Sequence, residues 1–252
     1  MRFRIFLSFA LAALCLCSAC AQQPRFRVFA LTVTSRAKDH VKMIAAATPI
    51  LQKMAADNHF AIDITNNAAL VTDANLAHYQ VFLQLQEAPF DMPRSTQQAV
   101  QKFIEEGHGW VGIHAAGLTG RQFLVAGMEY WQWYEDFLGG VVYSPHPRYQ
   151  KGTLIIEDRN HPVTQGLPEK WVIYDEWYEF NQSPRPRVHV LARADESTYK
   201  PNKPMGDHPM IWTNDKYGRM VYIAIGHSAQ MVADPNYQRL LRNAILWAGE
   251  SN

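Results

Sequence analysis

Cysteine is almost absent from this chain, and the three that occur in 252 residues, Cys15, Cys17 and Cys20, lie at one end. Beyond Cys20 there is no thiol, which excludes a disulfide, a thiolate metal ligand and a cysteine nucleophile from the body of the chain. An excess of charge is also missing. Lysine and arginine number 24 against 23 aspartates and glutamates, a net charge of +1. With no long basic run either, nucleic acid is excluded as the main partner. No G-x-S-x-G turn is present, so a serine-hydrolase elbow is lacking. No H-E-x-x-H pair offers a preformed zinc helix. Internal repeats, low-complexity tracts and linkers are absent too, and the length suits one domain over residues 22–252 with a sizeable core.

The first residues are of another kind. Arg2 and Arg4 precede an apolar stretch from Ile5 to Cys17, followed by small residues and Gln22-Gln23-Pro24. This is the layout of a secretory signal over residues 1–21, with an apolar part too short to span a membrane. Two processing routes fit. Ala19-Cys20-Ala21 has the A-x-A form that releases a soluble protein, whereas Cys17-Ser18-Ala19-Cys20 resembles a lipoprotein box that leaves a lipid anchor on Cys20. Both predict an exported protein, periplasmic or membrane-anchored.

Strand and helix signals then alternate. Arg25 to Thr34 is rich in β-formers, Ser35 to His40 reads as a polar loop, and residues 41–58 carry helical spacing that Pro49 should kink or break. Short strands follow at 61–65 and 81–85. Ser95 with Gln98 has the form of a capping box opening a helix, with Val100, Phe103 and Ile104 as its buried stripe and Gly107 as its stop. Gly109-Trp110-Val111-Gly112-Ile113 reads as a strand buried on both faces, running straight into His114. This alternation predicts an α/β fold, a mostly parallel sheet with helices on both faces. The second half adds a helix at 130–137, strands at 152–157, 171–174, 188–191, 210–212 and 220–225, and a closing amphipathic helix at 237–247.

Ligands collect beyond the carboxyl ends of strands in such sheets, so polar residues there are the candidates. His114 is one, and His227, after Gly226 at the end of the 220–225 strand, repeats its placement. His146 sits between two prolines, in a stiff turn that either aims its imidazole or merely exposes it. Tyr174-Asp175-Glu176-Trp177-Tyr178-Glu179 sets three carboxylates among rings. They read as a general acid or base, as metal ligands, or as a solvated strand end whose rings pack inward. Without thiols, imidazole and carboxylate are the usual ligands of zinc or a similar divalent ion, which nominates His114, His146, Glu176 and His227. Asp175 or Glu176 would act as acid/base, with His114 and His227 as proton carriers. Trp131, Trp133, Tyr134 and Trp177 offer stacking surface for a sugar ring, with His146 as a polar contact, or they are simply core. His161-Pro162-Val163-Thr164 with Gly166 reads as a structural turn.

Taken in order, several of these segments resemble the ThuA-like (trehalose utilisation) family. They are the strand into His114, Gly139-Gly140 through His146-Pro147, His161 to Leu167, and Asp175-Glu176-Trp177-Tyr178. Pro209-Met210-Ile211-Trp212 and Gly226-His227 through Leu246-Trp247-Ala248 complete the set. The resemblance implies a flavodoxin-like three-layer sandwich with a mostly parallel central sheet and additional strands in the second half, related to class I glutamine amidotransferases. Those enzymes carry their cysteine on a G-x-C-x-G turn. Gly112-Ile113-His114-Ala115-Ala116 has histidine at that place, so thiol-based amide hydrolysis is excluded. The resemblance also implies a small-molecule sugar partner (a disaccharide, glycoside or keto-sugar) and a divalent ion such as zinc as cofactor. A non-catalytic carbohydrate-binding module, or a metal-dependent hydrolase of amides or esters, would use the same residues.

Overall fold

Residues 23–32 and 38–250 are described in the computed structural model; the expected export signal with Cys20, and residues 35–37 of the expected loop, lie outside the described residues. In chain order the first half comprises β1 (Arg27–Thr32), α1 (Lys38–Asn58), β2 (Ala61–Thr65), α2 (Asp73–Leu76), β3 (Val81–Leu85), α3 (Arg94–Glu105) and β4 (Gly109–Ile113). The second half comprises α4 (Gln132–Phe137), β5 (Tyr143–Ser144), β6 (Gln150–Ile156), β7 (Lys170–Asp175), β8 (Glu179–Phe180), β9 (His189–Asp195), β10 (Pro209–Thr213), β11 (Met220–Ile223), α5 (Ala229–Ala233) and α6 (Pro235–Gly249).

Among the described residues nine strands form one sheet in the order β2-β1-β3-β4-β11-β10-β9-β6-β7. The first five run parallel, and from β11 onward each neighbour is antiparallel. The fold is therefore the expected α/β sandwich with extra strands from the second half. β3 and β4 are buried along their whole length, as strands covered on both faces must be. β7, at the far edge, alternates exposed and buried residues, so one of its faces is wet.

The two layers meet the sheet by close fit. On one face α6 packs so tightly that a Cβ on Gly109 would stand 2.2 Å from the Ala248 carbonyl oxygen. On the other, the Trp110 ring meets Phe137 of α4 edge-on at 4.9 Å, and its Nε1 donates to Gln84 Oε1 at 3.2 Å. Three expectations change in detail. α1 starts at Lys38, so His40 belongs to its first turn instead of a loop. It also continues through Pro49, because the packing of Met43, Ala47, Leu51 and Met54 outweighs one missing amide donor. α3 begins at Arg94 behind Pro93, whose carbonyl accepts from Gln97 N at 3.0 Å; Ser95 and Gln98 lie inside the helix and form no cap.

Candidate metal centre

Parallel strands deliver their ends to one edge of the sheet, and three histidines come from that edge. His114 follows β4 in a sharp turn with a left-handed backbone (φ +49°), a conformation that costs a non-glycine residue about 1–3 kcal/mol. Two bonds hold it there. Its carbonyl accepts from Tyr222 Oη at 2.8 Å, and its Nδ1–H donates to the Ala224 carbonyl at 2.7 Å. His227 lies beyond neighbouring β11, after Gly226, whose φ of +124° only glycine adopts freely. His40 comes from the first turn of α1, the helix that follows β1.

Glu176 arrives from the other side of the sheet, at the end of β7. Asp175 docks it. The fully buried carboxylate of Asp175 accepts from Gly226 N (2.8 Å), His227 N (3.1 Å) and Glu176 N (2.8 Å), clamping the end of β7 to the turn after β11. A fourth histidine is brought alongside by the pairing of β5 with β8 and by Asn202, whose Nδ2 donates to the His146 carbonyl at 2.8 Å.

The side chains converge on one point. Glu176 Oε2 lies 3.2 Å from His114 Nε2, 3.1 Å from His227 Nδ1 and 3.2 Å from His146 Nε2. His227 Nδ1 lies 3.3 Å from His114 Nε2 and 3.2 Å from His40 Nε2. One ligand atom from each of His40, His114, Glu176 and His227 falls within 4.8 Å of all the others. These contacts need something positive between them. The Nδ1 of His114 and of His146 each face a carbonyl that can only accept, so each Nδ1 carries the proton. Each Nε2 can then meet the Glu176 oxygen only through a proton or a cation held between them. Atoms held 2.0–2.1 Å from a zinc ion at tetrahedral angles stand roughly 3.3 Å apart, the spacing of four of the six ligand-atom pairs here, with His40 farther from His114 and Glu176 but within 4.8 Å.

Burial, with His114 and His227 close by, pushes the His40 imidazole down to about 3, so it is neutral and able to donate a lone pair. Burial would raise the Glu176 carboxyl, but hydrogen bonds to His114 and His227 hold it well below the usual range, so it stays ionised. Burial also opposes charge on His227, yet the Glu176 carboxylate raises it above the ordinary histidine value.

The ThuA family, described as trehalose utilisation, matches residues 27–248. A ThuA-like protein of Bacteroides uniformis is 30% identical, superposes with a TM-score of 0.81, and the match covers 90% of this chain and 93% of that one. The chain belongs to the ThuA family. A second ThuA-like protein, from Parabacteroides merdae, is 17% identical with a TM-score of 0.65 over 90% of each chain. A GMP synthase subunit of Thermoplasma acidophilum is 13% identical at a TM-score of 0.55, over 88% of this chain and 94% of that one, and shares the amidotransferase-type fold. No curated protein matches this ThuA-family chain.

Of the residues singled out from sequence, His114, Glu176 and His227 meet in this ThuA fold. His146 touches the group only through Glu176, and His40, expected in a loop, fills the fourth position. Asp175 is a correction: its oxygens are occupied by three backbone amides in the core, so it braces the site and has no free edge for acid–base work. Glu179 is likewise buried and accepts from Asn202 N and Lys203 N. The expected sugar-stacking rings are elsewhere. Trp177 is 0% exposed, stacked on Tyr199 at 4.8 Å, with Nε1 donating to the Gln150 carbonyl. Trp131 donates to Gln101 Oε1, Tyr134 to the Ala116 carbonyl, and Trp133 stacks on Phe137. None of the four lines the cleft at the cluster. Among the rings that pack on the imidazoles is Tyr178, 4.1 Å from His114 and 5.3 Å from His146.

Proposed function

We propose that this ThuA-family chain is an exported, divalent-metal-dependent enzyme acting on a small sugar substrate (a disaccharide, glycoside or oxidised sugar) at His40, His114, Glu176 and His227. The observation that carries the metal is the crowding of imidazole lone pairs and one carboxylate oxygen at 3.1–3.3 Å. Three nitrogens and one oxygen, with no sulfur, suit zinc or another first-row divalent ion. The far nitrogen of His114 supports it too, since the carbonyl of Ala224 fixes its tautomer in the way metal-bound histidines are usually held. The sugar is supported by the family's description, and export by the N-terminal signal pattern.

A divalent ion held by these four residues would supply Lewis acidity toward a substrate oxygen. The chain's own residues do the rest. Asp175 fixes the backbone from which Glu176 and His227 project. His146 Nε2, outside the four-atom group but 3.2 Å from Glu176 Oε2, is placed to exchange a proton with the substrate side. Tyr178, buried and with its hydroxyl kept protonated far above neutrality by burial, packs the imidazoles in place.

The test is turnover of a panel of disaccharides, glycosides and their keto derivatives by zinc- or manganese-loaded protein. His114→Ala and Glu176→Gln should each lower the rate by about 10²–10⁴-fold with the melting temperature preserved. Undiminished turnover in both variants would refute the assignment.

A further inference from the structure

On the His227 side of the cluster lies a cleft of about 630 Å³ whose outer walls the metal centre does not explain. Glu176 and His227 line it together with Asp39 and Lys42 of α1, Tyr149 and Tyr174. These two tyrosines are among the few large rings left in water: Tyr174 is 58% and Tyr149 41% exposed. Tyr174 projects from the wet face of β7, where side chains alternate, one residue before the buried Asp175. Tyr149 is fixed by a hydrogen bond between its hydroxyl and Ser228 Oγ at 3.1 Å. The two rings lie 30° from parallel with centroids 6.4 Å apart, and Tyr149 stands 5.8 Å from the His227 ring. They form an aromatic surface that begins at the metal ligands and leads outward.

The cleft's chemistry selects its guest. Outside the metal ligands its lining carries one charge of each sign, Asp39 and Lys42, and Lys42 Nζ is paired with Asp39 Oδ1 at 2.9 Å. A neutral polar ligand fits such walls better than an ion of either sign. A pyranose has an apolar face of C–H groups that stacks on an aromatic ring, and a rim of hydroxyls that suits the Asp39–Lys42 pair and Gln230. The volume lies mid-range for small-ligand sites and accepts more than one sugar ring.

Building on the metal-dependent sugar chemistry above, we propose that Tyr149 and Tyr174 are the stacking platform for the outer ring of a pyranosyl disaccharide whose inner ring lies against the His/Glu cluster. The two tyrosines thus determine specificity for two linked rings over one.

Saturation-transfer difference NMR on the zinc-supplemented full chain tests this, with trehalose, maltose and cellobiose as probes and glucose as the single-ring comparison. At least one disaccharide should receive saturation at its C–H protons more strongly than glucose. Tyr149→Ala and Tyr174→Ala should each weaken that disaccharide's affinity about fivefold, while Tyr174→Phe retains it, because the ring and not its hydroxyl does the stacking. Zinc bound per chain should not change in these variants. Unaltered affinity in both alanine variants, or no saturation of any disaccharide by wild type, overturns the platform. A zinc titration of His114→Ala separates the two ideas. Retained zinc there refutes the metal centre, whereas lost zinc with tyrosine-dependent disaccharide binding supports both.

Discussion

His114 shows how one side chain is made chemically specific by its surroundings. Its backbone is forced into a left-handed turn, one ring nitrogen is committed to the Ala224 carbonyl, and the other is aimed at Glu176 and His227. Asp175 acts at the same scale through bracing. Replacing it with asparagine turns an acceptor of three amides into a group with one acceptor and one donor, leaving at least one buried N–H facing an NH₂. Asp175→Asn should therefore lose about 1–3 kcal/mol of stability and bind zinc more weakly, measured by thermal unfolding and zinc titration. A variant as stable as wild type would show that the clamp is unimportant. Single residues are also where the sequence is hardest to read. The tryptophans resemble sugar platforms because aromatic content does not encode exposure, and each has a packing partner or indole acceptor in the interior. Tyr149 and Tyr174 give no comparable signal, since only the alternation of β7 and its edge position make Tyr174 outward-facing.

At the scale of elements, the turn joining β11 to α5 holds the greatest leverage. A Cβ on Gly226 would come 2.1 Å from Tyr237 Oη, and its backbone lies where side chains strain. Gly226→Ala should lower the melting temperature and also zinc affinity, because His227 is carried by the same turn. Tyr237→Phe gives the contrasting result. Its hydroxyl is buried with no hydrogen-bond partner among the described residues, so removing it should leave stability unchanged or raise it by about 1 kcal/mol. A clear loss in unfolding experiments would mean that the hydroxyl is satisfied in solution. Short apolar runs between turn residues make β2, β3 and β4 legible to their end residues, and the two histidines that end strands are legible with them. The first turn of α1 is not. Lys38, Asp39 and His40 face outward or toward the cleft, so they lack the apolar period that marks the rest of the helix, and His40 reads as loop. The available signal is topological: the segment after β1 opens on the same sheet edge as His114 and His227.

For the whole molecule, stability should depend on pH from both sides. Burial, with Asp91 nearby, raises the Glu87 carboxyl from its ordinary 4.5 to about 8. The folded chain thus keeps a proton that the unfolded chain has released, and this contribution to stability declines as pH rises from about 4.5 to about 8. Asp158 and Glu196 behave oppositely. Burial would raise both, but amide donors and histidine partners hold them low, so their contribution is full above the unfolded carboxylate range and is lost on acidification. Melting curves of wild type and Glu87→Gln should diverge as pH rises from 5 to 8, with the variant more stable at pH 8; parallel curves would exclude Glu87 as the source. The same scale explains why the site is only partly legible. Its donors come from α1, β4, β7 and β11, spread over most of the chain, and only the closing of β7 onto the β11 turn through Asp175 brings Glu176 within reach. The decisive measurement is anomalous scattering at the zinc edge from crystals of the zinc-loaded protein. One peak about 2.0–2.2 Å from His40 Nε2, His114 Nε2, His227 Nδ1 and Glu176 Oε2 is predicted. Well-ordered side chains at the same spacing with no peak between them would contradict the account.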